Sequence, residues 1–324
     1  MRTEVSRILL TGGSGFVGRH LAPELALAFP GAARTMLVRT DARERTNGWE
    51  TVCGDLTDAA SIDLAIRRVD PELVIHLAAN SAVAGATPID TWATNAIGTF
   101  TLASALARFA PEATVLLASS GEVYGASFGH GRVDEASPLV PLNAYAASKI
   151  AAEQIFHTVL PRGSQLIVAR GFNHTGPGQD VRFVLPSFAM QISQFEAGLR
   201  LPFLRTGNLE AERDFLDVRD VVQAYLKLLA ARDLPRRAVI NVTSGRTFKL
   251  RDLVVRMQAL AFCRFDIVVD PERLRPSDIP KALGDPSLLM QLTDWRPVHS
   301  IEETLQSLLD YWRLKQKESG PTAH

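Results

Sequence analysis

Arg7-Ile8-Leu9-Leu10-Thr11-Gly12-Gly13-Ser14-Gly15-Phe16-Val17-Gly18 is the stretch that decides the fold. An apolar run of strand length enters a turn of glycines, and the Arg19–Phe29 segment that follows has the apolar spacing of a helix. Strand, glycine turn and helix in that order form a cradle for a pyrophosphate. Gly12 and Gly15 let the backbone turn and approach an anion. Gly18 lets the helix pack close to the strand, and the helix N-terminus supplies N–H donors and a partial positive charge. A glycine triplet alone is weak evidence, because turns are commonly glycine-rich; the strand-to-helix context makes this Gly-x-x-Gly-x-x-Gly spacing strong.

The alternation continues outward from that unit. Arg34–Val38 reads as a second strand ending at Arg39, and Thr51–Cys53 as a third ending at Gly54-Asp55-Leu56. Leu73–Ala79 and Thr114–Ala118 read as a fourth and a fifth, with helices from Ala59 and around Asn95–Leu106. A helix through Tyr145–His157 and a sixth strand at Gln165–Ala169 complete the series. Repeated strand–helix units predict an α/β protein built on a doubly wound parallel sheet. Beyond Arg170 the alternation weakens into a turn-rich Asn173–Gln179, a helix over Phe183–Leu199 and a strand at Ala238–Thr243 that returns to the first sheet. The expected organisation is a dinucleotide-binding domain over 1–170, rejoined by 212–243. A smaller, mixed α/β substrate domain covers 171–211 and 244–324.

At 324 residues, 46% hydrophobic and 22% charged, the chain can build a sizeable core. Lys+Arg and Asp+Glu both number 35, so no global field favours nucleic acid or an anionic membrane, and an anionic ligand must be held by local groups. No 18-residue apolar run or long apolar leader is present, which predicts a cytoplasmic protein with no membrane partner. Cys53 and Cys263 are too few for a disulfide framework and lack ligand-like spacing with histidine; no metal is expected, and both should be buried thiols. His76, inside an apolar run, reads as a satisfied core histidine.

Cofactor choice turns on the end of the second strand. An acidic residue there binds the adenosine ribose of NAD, whereas an arginine accommodates the extra phosphate of NADP. Arg39 favours NADP(H); Asp41 keeps NAD(H) open if the strand ends later. Asp55 could accept a bond from the adenine amino group or, alternatively, cap the helix from Ala59.

The chemistry is concentrated in Asn143-Ala144-Tyr145-Ala146-Ala147-Ser148-Lys149 and the upstream Ser119-Ser120-Gly121-Glu122. Tyr145 and Lys149, four apart on a helix, lie on one face. A phenol ordinarily ionises near pH ~10, and a fixed ammonium beside it favours the phenolate, making Tyr145 a candidate general acid/base. Ser120, at a strand end, could hydrogen-bond the same substrate oxygen. Tyr-x-x-x-Lys in isolation is more often a half-buried aromatic beside a solvated charge; the surrounding glycine cradle and sheet pattern shift that balance.

Taken together, Thr11–Gly18, Gly54-Asp55-Leu56, His76-Leu77-Ala78-Ala79, Ser119-Ser120-x-x-Val123-Tyr124-Gly125 and Tyr145-x-x-x-Lys149 resemble, in order, the extended short-chain dehydrogenase/reductases acting on nucleotide sugars. The resemblance covers nearly the whole chain and implies a Rossmann sheet. Gly12, Gly15, Phe16, Val17, Gly18, Arg39, Asp55, Leu56, Leu77, Ala78 and Ala79 would then line the cofactor, with Tyr145 and Lys149 at its nicotinamide end. Ser120, Tyr145 and Lys149 match the catalytic positions.

The segments Arg170–Gln179, Gly207–Asp220 and Leu274-Arg275-Pro276-Ser277-Asp278 resemble GDP-mannose 4,6-dehydratases and, more closely, GDP-4-keto-6-deoxymannose reductases; Gly171 departs from the usual proline or threonine. That resemblance implies a GDP-sugar substrate contacted by Ser120, Asn173, Arg213, Arg275 and Asp278, a homodimer joined through the Asn95–Leu106 and Tyr145–Phe156 helices, and NADPH reduction of a C4 ketone to give GDP-D-rhamnose. Glu122 occupies the dehydratase glutamate position, so dehydration stays open, as do 4-epimerisation and a non-catalytic NADP-binding sensor. The short segment after Arg39 lacks the Arg/Ser-rich insertion expected of GDP-mannose dehydratases.

Overall fold

The computed structural model describes residues 5–39, 48–81, 87–273 and 279–318. Its first half reads β1 (Arg7–Thr11), α1 (Phe16–Ala28), β2 (Ala33–Val38), β3 (Glu50–Cys53), α2 (Ala59–Val69), β4 (Leu73–His76), α3 (Pro88–Trp92), α4 (Gly98–Phe109), β5 (Thr114–Ser120), α5 (Ala144–Val159) and β6 (Leu166–Gly171). The second half reads β7 (Asn173–Thr175), α6 (Val184–Glu196), β8 (Phe203–Thr206), β9 (Glu212–Asp217), α7 (Val218–Ala230), β10 (Arg237–Val242), β11 (Thr247–Lys249), α8 (Leu250–Leu260), β12 (Asp266–Val269), β13 (Lys281–Ala282), α9 (Ser287–Thr293) and α10 (Ile301–Glu318).

Seven parallel strands form one sheet in the order β10-β6-β5-β4-β1-β2-β3. The order reverses between β1 and β4, where an open sheet of this kind leaves a crevice beyond its strand ends. The strands are apolar on both faces because helices cover both. Ile8, Leu10, Ile75 and Leu116 pack with Leu21 and Leu25 of α1 and Val221, Tyr225 and Leu228 of α7. The alternate residues Leu9, Val74, Val115 and Leu117 pack with Ile62 and Ile66 of α2, Leu102 and Leu106 of α4 and Phe156 of α5. Each fully buried aliphatic or aromatic side chain contributes roughly 1.5–3 kcal/mol. A separate core joins α6, α8 and α10 through Phe188, Ile192, Leu253, Met257, Leu305 and Leu308.

Three expectations need correction. The stretch 212–243 does not return as a unit: α7 packs on α1 and β10 takes the sheet edge beside β6, but β9 lies in a small sheet with β7, β11 and β13. The edge slot is filled by β10, and the Asp217 cap turns the chain from β9 straight into α7. Cys53 is exposed, because β3 is the sheet edge and only its neighbour Val52 points inward; Cys263 is partly buried. The helix expected around Asn95 is preceded by a π turn at Ala93–Ile97, which adds a residue to the turn carrying Asn95.

Candidate active site

The glycine turn has the shape required of a cradle. Gly12 has φ +72°, and a Cβ there would meet the Ala78 backbone nitrogen at 2.6 Å, so the turn lies directly against the end of β4. A side chain at Gly18 would press into the backbone of Gly12 and Gly13. Gly15 sits at the N-cap of α1 with extended backbone and no side chain to occupy the first-turn amides. Those amides, beside the part-buried Phe16 and Val17, suit an anion. Leu77, Ala78 and Ala79 follow β4 on the other side of the crevice. Leu56, after β3, is buried against Gly98, where an added Cβ would approach it at 2.8 Å.

β2 ends at Val38, which leaves Arg39 exposed as the first residue beyond it; Asp41 lies outside the described residues. The Asp55 carboxylate accepts from the Thr57 amide and hydroxyl, both at 2.8 Å, and these bonds, helped by Arg39, hold its pKa below the ordinary value. The cap of α2 is Asp58, whose Oδ1 accepts from the Ala60 amide at 3.0 Å, so Asp55 is not the N-cap.

His76 is buried and neutral. Burial, then the Lys149 charge, pull its pKa down to about 3. Its neighbours set the tautomer: the Thr99 hydroxyl donates to the Asn95 carbonyl at 2.6 Å and therefore accepts from His76 Nε2, leaving Nδ1 to accept from Thr11 Oγ1 at 2.7 Å. Thr11 Oγ1 in turn accepts from the Ala78 amide at 3.3 Å. This chain stitches β1, β4 and α4 together beneath the glycine turn.

Ser120 ends β5 and its Oγ accepts from the Glu122 amide at 3.1 Å, opening a 3-10 turn over Gly121–Tyr124. Asn143 caps α5 by accepting from the Ala146 amide at 2.8 Å, and its Nδ2 donates to Glu122 Oε2 at 3.1 Å. Tyr145 is thereby fixed in the first turn of α5, facing Ser120, with which its phenol is hydrogen-bonded. Asn95 Nδ2 donates to Ser148 Oγ at 3.0 Å and to the Asn80 carbonyl at 3.0 Å; Ser148 in turn donates to the Tyr145 carbonyl at 2.7 Å.

The electrostatics differ from the sequence-based expectation. Burial raises the Tyr145 pKa above its ordinary value, the Glu122 carboxylate raises it further, and the Ser120 bond only partly opposes them. Lys149, 4% exposed, is pushed down by its own burial to about 8, with Glu153 pulling the other way. Desolvation and Glu122 thus both favour the protonated phenol.

Asn173 is exposed in β7 and Arg213 half-buried in β9, strands paired with Asn173 opposite Phe215. Burial lowers the Arg213 pKa and the Glu122 charge opposes it. Its Nη1 donates to the Glu212 carbonyl at 2.8 Å. Arg275 and Asp278 lie outside the described residues. Sequence reasoning passed over Glu153 on the Tyr145–Lys149 helix and its neighbours Asn95 and Arg170, which bond to side chains of that helix. The available signal was polarity: an asparagine and a glutamate at inward positions of otherwise apolar helices. Among the described residues no group of His, Cys, Asp and Glu is arranged to hold a metal, and no helix is long and apolar enough to cross a membrane.

Comparison with known proteins matches this arrangement. The GDP-6-deoxy-D-mannose reductase of Pseudomonas aeruginosa is 36% identical over 96% of this chain and 99% of its own length. The GDP-6-deoxy-D-talose 4-dehydrogenase of Aggregatibacter actinomycetemcomitans is 28% identical over 88% of this chain and 90% of its own. Among solved structures, RMD from Pseudomonas aeruginosa complexed with NADPH superposes with TM-score 0.81 at 35% identity, covering 96% of this chain and 98% of that one. A family model described as GDP-mannose 4,6 dehydratase matches residues 9–308. With the Rossmann sheet and near-complete coverage in agreement, the chain belongs to the GDP-mannose 4,6-dehydratase family of extended short-chain dehydrogenase/reductases.

Proposed function

We propose that this protein is an NADP(H)-dependent reductase that converts the C4 ketone of GDP-4-keto-6-deoxy-D-mannose to the alcohol of GDP-D-rhamnose. The observation that carries the reaction class is the Tyr145 phenol, kept protonated by burial and Glu122 and hydrogen-bonded to Ser120 at the C-terminal edge of the sheet. The choice of sugar nucleotide rests on full-length similarity to the Pseudomonas GDP-6-deoxy-D-mannose reductase.

The turn at Gly12–Gly18 fits a dinucleotide, because Gly12, Gly15 and Gly18 occupy positions where a Cβ would meet backbone. Gly12, Gly15 and the first turn of α1 hold the pyrophosphate. Leu56, Leu77, Ala78 and Ala79 line the adenine and nicotinamide halves, Asp55 faces the adenine, and Arg39 contacts the extra phosphate of NADPH. When bound, the reduced dinucleotide supplies the hydride that goes to C4. Lys149 holds the nicotinamide ribose and adds positive charge behind Tyr145. Ser120 orients the ketone oxygen, and Tyr145 gives O4 its proton as the C–O double bond becomes a single bond; Asn173, Arg213, Arg275 and Asp278 hold the GDP part. Two arginines suit a diphosphate because their planar forks make charge-assisted bonds. In this reading 1–170 with α7 and β10 serve the dinucleotide, and the remainder serves the sugar nucleotide.

One observation favours a second reading. Glu122 lies beside Tyr145, where a carboxylate could remove a proton from C5, as a 4,6-dehydratase requires after oxidation at C4. The short 40–49 stretch and the similarity to the reductase weigh against it. The two free thiols fit a reducing compartment such as the cytoplasm. Exposed Ile97 and Phe100, three apart and 58% and 51% exposed, fit a homodimer through α4 and α5. Replacing Tyr145 with Phe tests the assignment: turnover should fall roughly 10²–10⁴-fold, with NADPH affinity by fluorescence titration nearly unchanged. Near-normal turnover would remove Tyr145 from the mechanism.

A further inference from the structure

Lys149 and Glu153 are one helical turn apart on α5, both 4% exposed. A lysine and a glutamate four apart on a helix are neighbours and commonly pair. Here they do not. Glu153 Oε2 accepts from Arg170 Nη2 at 2.7 Å, and Oε1 accepts from Arg170 Nε at 3.0 Å and from the Ser119 hydroxyl. Arg170 is gripped from its far side as well. Its Nη1 donates to the Tyr124 hydroxyl at 3.0 Å, and that hydroxyl donates to Asn241 Oδ1 at 2.7 Å. Burial disfavours the Arg170 cation, but the bonds and charges of Glu153 and Tyr124 outweigh it and hold the guanidinium above its ordinary pKa.

We infer that Arg170 and Ser119 withhold the Glu153 carboxylate from Lys149, so that the buried ammonium feels a fixed anion one turn away yet keeps its N–H donors for the reactive cleft. Glu153, Arg170 and Ser119 are positioning residues for Lys149, bonded to one another. Burying an ion pair is costly, and replacing one with apolar groups is often neutral or stabilising, so folding stability alone is a poor reason for a fully buried Arg–Glu pair at this place. A rigid one has a use here, because a mobile Glu153 would turn inward and neutralise the lysine. Among the other titratable groups, His76 from β4 feels the Lys149 charge and is itself neutral, Tyr145 lies one turn earlier on the same helix, and Glu122 and Tyr225 act on Tyr145. Glu153 is the anion that pulls the Lys149 pKa up against burial.

The inference rests on the role proposed for Lys149, but its first readout does not need turnover. The titration midpoint of Lys149 is read on the full chain from the pH dependence of its trace acetylation, by peptide mass spectrometry. Glu153→Gln keeps the shape and removes the charge; the midpoint should fall by about one pH unit. Arg170→Gln and, more gently, Ser119→Ala release the carboxylate towards the lysine; the midpoint should rise, and NADPH affinity at pH 7 should weaken several-fold as Glu153 captures the ammonium. If Arg170→Gln does not fold, Ser119→Ala carries the upward arm. Opposite movements establish the device even if the substrate proves to be another sugar nucleotide. Unchanged midpoints in folded variants, or movement in the same direction for Glu153→Gln and Ser119→Ala, would overturn it.

Discussion

Tyr145 is of use in a reduction only if its proton is present when O4 acquires negative charge. A phenol in water meets that condition, but one beside a fixed ammonium tends to lose its proton, and each pKa unit represents 1.36 kcal/mol between the two forms. Burial, with Glu122 adding to it, favours the protonated phenol. The face shared by Tyr145 and Lys149 was legible in the sequence because helix geometry fixes it. The balance of charge was not, because it depends on how deeply α5 is packed and on Glu122, which a separate turn brings in. Glu153 and Arg170 were hidden for a similar reason: 17 residues separate them, and only the pairing of β5 with β6 beside α5 closes that distance. The place of Arg39 just beyond β2 was legible from the end of a strand alone, and its proposed phosphate contact is open to test. Arg39→Ala should narrow the preference for NADPH over NADH, with NADH affinity nearly unchanged; equal affinities for the two before substitution would leave Arg39 without the proposed phosphate contact.

At the scale of elements, α5 is placed by its first residues. Asn143 accepts from the Ala146 amide and donates to Glu122, so a single side chain starts the helix that carries Tyr145 and anchors the turn that begins at Ser120. Asn143→Ala should cost about 1 kcal/mol of stability in denaturant unfolding, as loss of an N-cap does. Its effect on kcat should be larger than that on NADPH affinity, since Ser120 and Tyr145 lose their common tether while the glycine turn is untouched. The strands of the large sheet were legible because they are continuous apolar runs between turn formers. β9 was not legible as a strand, and its segment was expected to return with 212–243 to the first sheet rather than to join a second one. Its Glu212-Arg213-Asp214-Phe215-Leu216-Asp217 pattern is set by local contacts: Asp214 accepts from Thr243, Ser244 and Gly245, and Asp217 caps α7. The π turn holding Asn95 has no signature in apolar spacing, because its extra residue leaves the flanking helical pattern almost intact.

Across the whole molecule, the large sheet carries the glycine turn and Ser120 at its strand ends, whereas Asn173 and Arg213 stand on the separate small sheet of β7 and β9; in the proposed function, dinucleotide and sugar nucleotide approach Tyr145 from these different parts of the chain. Ile97, just before α4, and Phe100 within it form an exposed apolar pair. If it joins two copies through α4 and α5, Phe100→Asp should shift the protein to monomer in sedimentation velocity while leaving NADPH affinity unchanged; a wild-type monomer at all concentrations would refute the dimer. The central claim is the direction of the chemistry, and one comparison addresses it directly: purified protein with NADPH, given either GDP-4-keto-6-deoxy-D-mannose or GDP-mannose, with the products identified. The structure and its relatives predict stoichiometric NADPH oxidation and a 4-hydroxy sugar from the keto substrate, with little change in GDP-mannose. Efficient formation of a 4-keto sugar from GDP-mannose, without net NADPH oxidation and without reduction of the added keto sugar, would contradict it and make Glu122 the base of a dehydratase.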